Sequence, residues 1–275
     1  MNVNKCVIVA VFYHKKYIKN FASVLNLLMQ KVSGGSLYVV MNNDELTEEE
    51  ISGEISKQCP PRFVRHNNAG FEFGAYQAGL EQASSEYGGE ATYIFCNDTV
   101  GNHQNFTKEQ IDAFVNTLNR EAGQGVIVGK VEQSARIIRI SGFSGTRWVR
   151  SNFFGLDAAA LNALDWKLYE EAFDRLIKET SDEAEFFGSD IGSVFRRHVA
   201  SWLFATDGHR WYAAHPLNSE NQSRMAGKAR CIVHETMLAL RLDAANCGFF
   251  MPIMTRRQRW LSRIKSDCLR LKRVK

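Results

Sequence analysis

The residues best suited to chemistry sit in one heptapeptide, Tyr93-Ile94-Phe95-Cys96-Asn97-Asp98-Thr99. Its first part is short, apolar and aromatic, the composition of a buried strand, and it ends abruptly in an Asn-Asp-Thr turn. In alternating α/β chains ligands bind beyond the carboxyl ends of the strands. A carboxylate placed there, as Asp98 would be, can hold a hard divalent cation against a diphosphate. Just upstream, Asn68-Ala69-Gly70-Phe71-Glu72-Phe73-Gly74 combines an amide, a carboxylate and two glycines that permit close backbone approach. The same Asn-Asp-Thr also suits an Asx-turn that only reverses the chain. What separates the two readings is which other groups face Asp98 across a common crevice.

Holding such a crevice requires strands that deliver their ends to one edge. Residues 6–12 read as a strand, and 17–31 as a helix with Ile18, Phe21, Val24, Leu25 and Leu28 on one face. Residues 36–41 form a second strand, followed by the polar turn Asn42-Asn43-Asp44 and an acidic helix near 47–57. A short third strand over 62–66 leads through the Gly-rich segment into a helix over 75–84, and 92–96 is the fourth strand. Thr107 with Gln110 makes a capping box for a helix to about residue 120. This alternation predicts a mostly parallel sheet with helices on both faces. Beyond Gly123 the pattern changes to strands over 126–130 and 136–140, a loop over 142–146 and a strand over 148–156. Helical stretches follow at 158–164 and 189–200. One domain over residues 1–250 with a C-terminal extension over 251–275 accommodates the whole pattern.

Taken in order, strand, Asn-Asp turn, strand, Asn-x-Gly-Phe, helix, strand and Asn-Asp-Thr resemble the family 2 glycosyltransferases of GT-A fold. Those enzymes carry a vDNxS-like turn after the second strand, an N-x-G-F segment before the third helix, and an aspartate-containing DxD turn often written L-N-N-D-T. This chain has Val39-Val40-Met41-Asn42-Asn43, Asn68-Ala69-Gly70-Phe71 and Phe95-Cys96-Asn97-Asp98-Thr99 in the same order. Phe71-Glu72-Phe73-Gly74-Ala75-Tyr76 together with Asn97-Asp98-Thr99 is also similar to the rhamnan-synthesis branch of bacterial surface-polysaccharide enzymes. The likeness spans about residues 5–240.

The resemblance implies a GT-A-like, Rossmann-like α/β fold that transfers a sugar, with inversion, from a nucleotide-diphosphate donor to a glycan or lipid-linked acceptor. Mg²⁺ or Mn²⁺ would act as a Lewis acid on the leaving diphosphate. It makes Asp98 the last acid of the DxD turn and a metal ligand, with Asn97 offering an amide oxygen. Cys96 stands where the first acid is usual, and a soft thiol is a poor ligand for so hard a cation. It makes His234, in Cys231-Ile232-Val233-His234-Glu235, a second metal ligand, the alternative being a structural buried histidine. Within residues 185–192, which resemble the family's F-x-x-E-D-x-D-L stretch, it makes Asp190 the base that deprotonates the acceptor. There Ser189 replaces the usual Glu, and Ser189 or Asp190 could instead cap the following helix. Asn42, Asn43, Asn68, Gly70 and Glu72 would border the nucleotide, although Met41 replaces the first acid of that turn. Arg224, Lys228 and Arg230 lie in a polar stretch that could close over the diphosphate as a lid, or be a solvated basic loop. Trp148, Asn152, Trp211 and Tyr212 could stack on the acceptor or pack in the core.

Composition narrows the alternatives. The 275 residues are 45% hydrophobic and 23% charged, ordinary for a chain with a sizeable core. Six scattered cysteines without a Cys-x-x-Cys pair read as reduced thiols rather than a disulfide framework or a zinc knuckle. Gly123-x-Gly125-x-x-x-Gly129-Lys130 lacks the Ser or Thr of a P-loop, and no G-x-S-x-G elbow occurs. No run approaches the ~18 apolar residues of a membrane span. Lys15 and Lys16 follow the apolar stretch 6–13, the wrong order for a signal peptide. Charge is uneven: the net +4 divides into +8 over residues 255–275 and −4 over the rest. On a helix from about residue 257, Trp260, Ile264, Cys268 and Leu271 form an apolar stripe among Arg and Lys. This suits an interfacial helix lying on an anionic leaflet, where each basic residue contributes ~1 kcal/mol before screening. The expectation is a cytoplasmic protein held peripherally at the inner face of the membrane. Its body is too acidic for a general nucleic-acid binder, although the tail alone could contact nucleic acid. Met41 and Cys96 leave open a binding or scaffolding subunit without turnover.

Overall fold

Lys5–Phe12 (β1) is buried at every position after its first, the pattern of a strand covered on both faces. In this computed structural model, which describes residues 5–254 except 33, 58, 105, 206–210 and 253 and only the backbone of residue 90, β1 lies near the middle of a sheet. Ser36–Met41 (β2) pairs parallel to it on one side, with Val7 opposite Ser36 and Phe12 opposite Met41. Ala91–Asn97 (β4) pairs parallel to it on the other, with Val11 opposite Asn97. Arg62–Arg65 (β3) extends the β2 side as a half-exposed edge.

Beyond β4 the direction reverses. Phe143–Leu156 (β6) runs antiparallel to β4, Cys96 opposite Phe153, and Val126–Ile140 (β5) runs antiparallel to β6. Gly248–Phe250 (β7) joins β5 in parallel and completes the seven-stranded order β3-β2-β1-β4-β6-β5-β7. The fold is therefore α/β around one mostly parallel mixed sheet. Since only residues 153–156 of β6 pair with β4, the rest of the β5–β6 hairpin projects past the carboxyl ends of the parallel strands.

Alternation along β1 assigns the helices to two faces. Ile8, Ala10 and Phe12 meet Ile18–Met29 (α1), Glu48–Glu54 (α2) and Lys108–Glu121 (α4) through Phe21, Leu25, Ile51, Phe114 and Leu118. Val7, Val9 and Val11 meet Phe71–Tyr87 (α3), Ala158–Ala163 (α5) and Gln222–Ala244 (α8) through Phe73, Tyr76, Leu80, Leu161 and Leu238. A third apolar cluster joins the hairpin to Glu171–Asp174 (α6), Ser193–Leu203 (α7) and the other side of α8. There Ile138 and Ile140 pack with Phe173, Phe186, Phe195, Val233 and Met237.

Several expectations need correction. Residues 126–140 form one long strand rather than two, a register irregularity between Gln133 and Ile138 absorbing the polar Gln133-Ser134 segment. The expected loop over 142–146 is mostly strand, with Ser141 and Gly142, both at positive φ, making the turn. Helix α3 begins at Phe71, not residue 75. Residues 224–235 are neither a lid loop nor a short strand but the interior of α8, a helix of 23 residues. Its Met225, Ala229, Val233, Met237 and Leu240 recur at helical spacing and are all buried, which overrides the β-branched pair Ile232-Val233. Helix α7 is capped at Gly192 without a side chain, so neither Ser189 nor Asp190 is its cap. The capping box at Thr107 and Gln110 is present as expected. Cys6, Cys59, Cys96, Cys231 and Cys247 are free thiols. No helix among the described residues is long and apolar enough to cross a membrane. The amphipathic helix expected in the extension lies outside the described residues.

Candidate active site

Strands β2 and β3 are added to one side of β1 and β4 to the other, so the strand order reverses between β1 and β4. In open α/β sheets a crevice forms at that point, outside the carboxyl ends of the strands. Asp98 is the first residue past β4 and sits in this crevice at 1% exposure. The backbone N–H groups of Tyr13 and His14, just past β1, both donate to its Oδ2 at 2.8 and 2.7 Å. Burial pushes the Asp98 carboxyl above the usual carboxylate range, and these two amides oppose that shift. Oδ1 accepts no hydrogen bond among the described residues.

The loops past β2 and β3 are tied to the same place by amides. Asn42 Nδ2 donates to Asn68 Oδ1 at 2.9 Å, and Asn42 Oδ1 lies 2.6 Å from His66 Nδ1. Asn43 Nδ2 donates to the Tyr13 carbonyl at 2.9 Å. Asn68 and Phe71 hold left-handed backbone, at φ of 64° and 53°, a conformation costing about 1–3 kcal/mol at a non-glycine residue. Asn tolerates it better than most. Gly70, at φ 68°, has no alternative: a Cβ there would lie 2.4 Å from the Tyr169 ring. These strained turns launch α3 so that Glu72 falls in its first turn, where the helix dipole favours a negative charge.

Glu72 is where the crevice becomes crowded with polar groups. Asn97 Nδ2 donates to Glu72 Oε2 at 2.9 Å, and Asn97 Oδ1 accepts the Thr99 hydroxyl at 2.6 Å. Ser151, two residues beyond the last β4 partner in β6, places its hydroxyl 2.7 Å from Glu72 Oε1. The same hydroxyl is 2.7 Å from Glu235 Oε2, which also accepts the Ser151 backbone N–H at 2.7 Å. Burial, with the neighbouring Glu72 charge, pushes the Glu235 carboxyl up. Lys228 and Cys231 stand on the same face of α8 as Glu235, at helical spacings of seven and four. Burial disfavours the Lys228 charge, yet the acidic groups around it hold its pKa above the usual lysine value. Burial pushes the Cys231 thiol up to about 12, so at neutral pH it is an uncharged neighbour of Lys228 and Glu235. Lys228 Nζ also lies 5.9 Å above the Trp202 ring.

Aromatic rings run along the rim. Tyr17 Oη is 2.9 Å from His103 Nε2, and the His103 ring lies nearly parallel to that of Tyr212, 6.4 Å away. Tyr212 is 88% exposed and touches Trp211, over which the Arg224 guanidinium sits at 6.0 Å. Trp148, by contrast, packs on His198. Cavities of about 370 Å³, beside Gly35, Pro60 and Arg62, and about 490 Å³, beside His215, Asn218 and Arg224, include neither Asp98 nor Glu72.

The crevice thus brings together Asn42, Asn43, Asn68, Gly70, Glu72, Asn97, Asp98 and Lys228 of the residues expected from sequence. Arg224 lies on the rim. Two others lie apart. His234 is 1% exposed, with Nε2 2.9 Å from Asp174 Oδ1 and its ring against Phe73, Tyr169 and Phe173. It belongs to a buried network in which Tyr169 also donates to Asp174. Asp190 is exposed beside the tip of the projecting hairpin, its carbonyl accepting the Ser141 N–H at 2.9 Å. Tyr13, Ser151, Cys231 and Glu235 complete the site without having been singled out. A helical reading of 224–235 would have found Glu235, since it puts that residue on the Lys228 face.

Among the described residues no three His, Cys, Asp or Glu side chains converge as a metal site. Mg²⁺ or Mn²⁺ shared with a diphosphate needs only one or two protein carboxylates. Asp98, with one oxygen anchored and one open to the crevice, fits that lesser demand. No protein-family model matches the chain, and no curated protein matches it in sequence.

Proposed function

We propose that the chain is an inverting glycosyltransferase of GT-A-like fold, moving a sugar from a nucleotide-diphosphate donor to a glycan acceptor of the surface-polysaccharide type. The observation that carries this reading is Asp98, a buried carboxylate seated on the β1 loop amides where the strand order reverses, with the Asn42–Asn68 pair alongside. In this reading Asn42, Asn43, Asn68 and Gly70 border the nucleotide, and Asp98 would hold a divalent cation. When bound, that cation would supply Lewis-acid neutralisation of the leaving diphosphate. Lys228 adds positive charge at the crevice wall from α8. Asp190, in the loop before α7 beside the hairpin tip, stands apart from the crevice, so its role as acceptor base requires that tip to approach the bound donor, and Tyr212 with Trp211 offers the acceptor a stacking surface. His234 positions α6 against α8 and holds no metal. Lipid-linked acceptors would be met at the inner face of the membrane, where the basic extension would lie.

A thermal-shift screen of UDP-, dTDP- and GDP-sugars, each with and without Mn²⁺, tests the reading. One donor class is expected to raise the unfolding temperature, and more so with the cation. If no nucleotide sugar shifts the midpoint under either condition, the donor site assigned here is wrong. A second reading, a nucleotide-sugar-binding subunit without turnover, is favoured by Met41 and Cys96, both buried packing residues where acids would be expected. Donor hydrolysis or sugar transfer by the purified chain separates the two.

A further inference from the structure

The Ser151 hydroxyl lies 2.7 Å from two carboxyl oxygens, Glu72 Oε1 and Glu235 Oε2. A hydroxyl has one hydrogen and can donate it to one of them. The other contact, at that distance, needs a hydrogen of its own, and only the second carboxyl can supply it. Each carboxyl also accepts one N–H bond, Glu72 from Asn97 Nδ2 and Glu235 from the Ser151 backbone, so neither is clearly the better home for the charge. We propose that Glu72, Ser151 and Glu235 form a proton-sharing unit in the crevice wall that keeps one of the two carboxyls neutral at neutral pH. The unit stands whether or not sugar transfer is the reaction.

Two arrangements follow, and both balance. In one, Glu235 Oε2–H donates to Ser151 Oγ while Oγ–H donates to Glu72 Oε1. Moving both protons along their bonds leaves Glu72 as the acid and Glu235 as the carboxylate, with net charge unchanged. The proton therefore belongs to the pair rather than to either residue. The surroundings are consistent with a single negative charge. Glu235 faces Lys228 and the neutral Cys231 thiol on its own helix, Glu72 on α3 and Ser151 on β6. Glu72 in turn faces Tyr13 past β1 and, through Asn97, the Asp98 turn. The Tyr13 hydroxyl is shut from solvent and has no hydrogen-bond partner among the described residues.

Infrared difference spectroscopy of the full chain reads the shared proton directly. At neutral pH the wild type is expected to show a protonated-carboxyl C=O band that disappears in Glu235→Gln and in Glu72→Gln and shifts in Ser151→Ala. Absence of the band from folded wild type, or its persistence in both Gln variants, overturns the proposal. Stability gives an independent measure. A carboxyl whose folded pKa lies above its unfolded value stabilises the fold at low pH, and that stabilisation is lost as pH rises through the folded pKa. As the pH rises above the ordinary glutamate range, the melting temperature of wild type should therefore fall relative to that of Glu235→Gln. Parallel melting curves across that range count against the unit.

Discussion

Because the two backbone N–H groups that follow β1 donate to a single oxygen of Asp98, removing the carboxylate and removing only its charge have separable consequences. Asp98→Ala leaves two amides without an acceptor in a buried turn, and bonds to a charged acceptor are worth about 1.5–3 kcal/mol each. Asp98→Asn keeps an oxygen for both amides, so urea unfolding should place it close to wild type and well above Asp98→Ala. Both variants should lose the cation-dependent part of any donor-induced thermal shift, since a neutral amide is a weak partner for Mg²⁺ or Mn²⁺. Equal unfolding midpoints for Asp98→Ala and wild type would show that the amides are satisfied elsewhere. Asp98 was legible because its strand and turn are contiguous in sequence. Ser151 was not: a serine within a strand has no local signature, and its partners arrive from positions 72 and 235 only when the sheet and α8 assemble.

Helix α8 shows why an element at the centre of a molecule is hard to read. It is covered on one side by the sheet and on the other by the cluster beneath the hairpin, so its buried positions wrap around it rather than form a stripe. Local cues then dominate, and Arg224–Arg230 resembles a polar loop while Ile232-Val233 resembles a strand. The capping box before α4 is the opposite case, since it closes within four residues and needs no partner element. A proline separates the loop and helix readings of 224–230. Ala229→Pro, at a fully buried position, removes an intrahelical hydrogen bond and should destabilise the chain by ~3 kcal/mol or more. A melting temperature near wild type for that variant would mean that the segment is not held as a helix in solution. The consequence reaches the site, because α8 alone sets the spacing that brings Lys228, Cys231 and Glu235 to Glu72.

On the scale of the whole molecule, the strand–helix alternation announced a parallel sheet, but neither its order nor the reversal between β1 and β4 can be read from periodicity. Which strand pairs with which is decided by the faces the helices cover, a long-range outcome of packing. That order puts Asp98 in the crevice floor, whereas Asp190 lies outside it, in the loop before α7 that bonds to the tip of the overhanging hairpin. Donor and acceptor functions should therefore depend on different elements, the carboxyl ends of the parallel strands and the loop before α7. Asp190→Ala, a change at an exposed side chain, should leave the melting temperature and the donor-induced thermal shift at wild-type values. It should lower kcat by the 10²–10⁴-fold typical of a lost general base while the donor KM stays unchanged. Asp98→Asn should act on the donor instead, removing the cation-dependent part of the donor-induced shift before turnover is reached. If Asp190→Ala turns over at the wild-type rate, the acceptor base lies elsewhere. The carboxyls already in the crevice, Glu72 and Glu235, then become the groups whose Gln variants should suppress transfer.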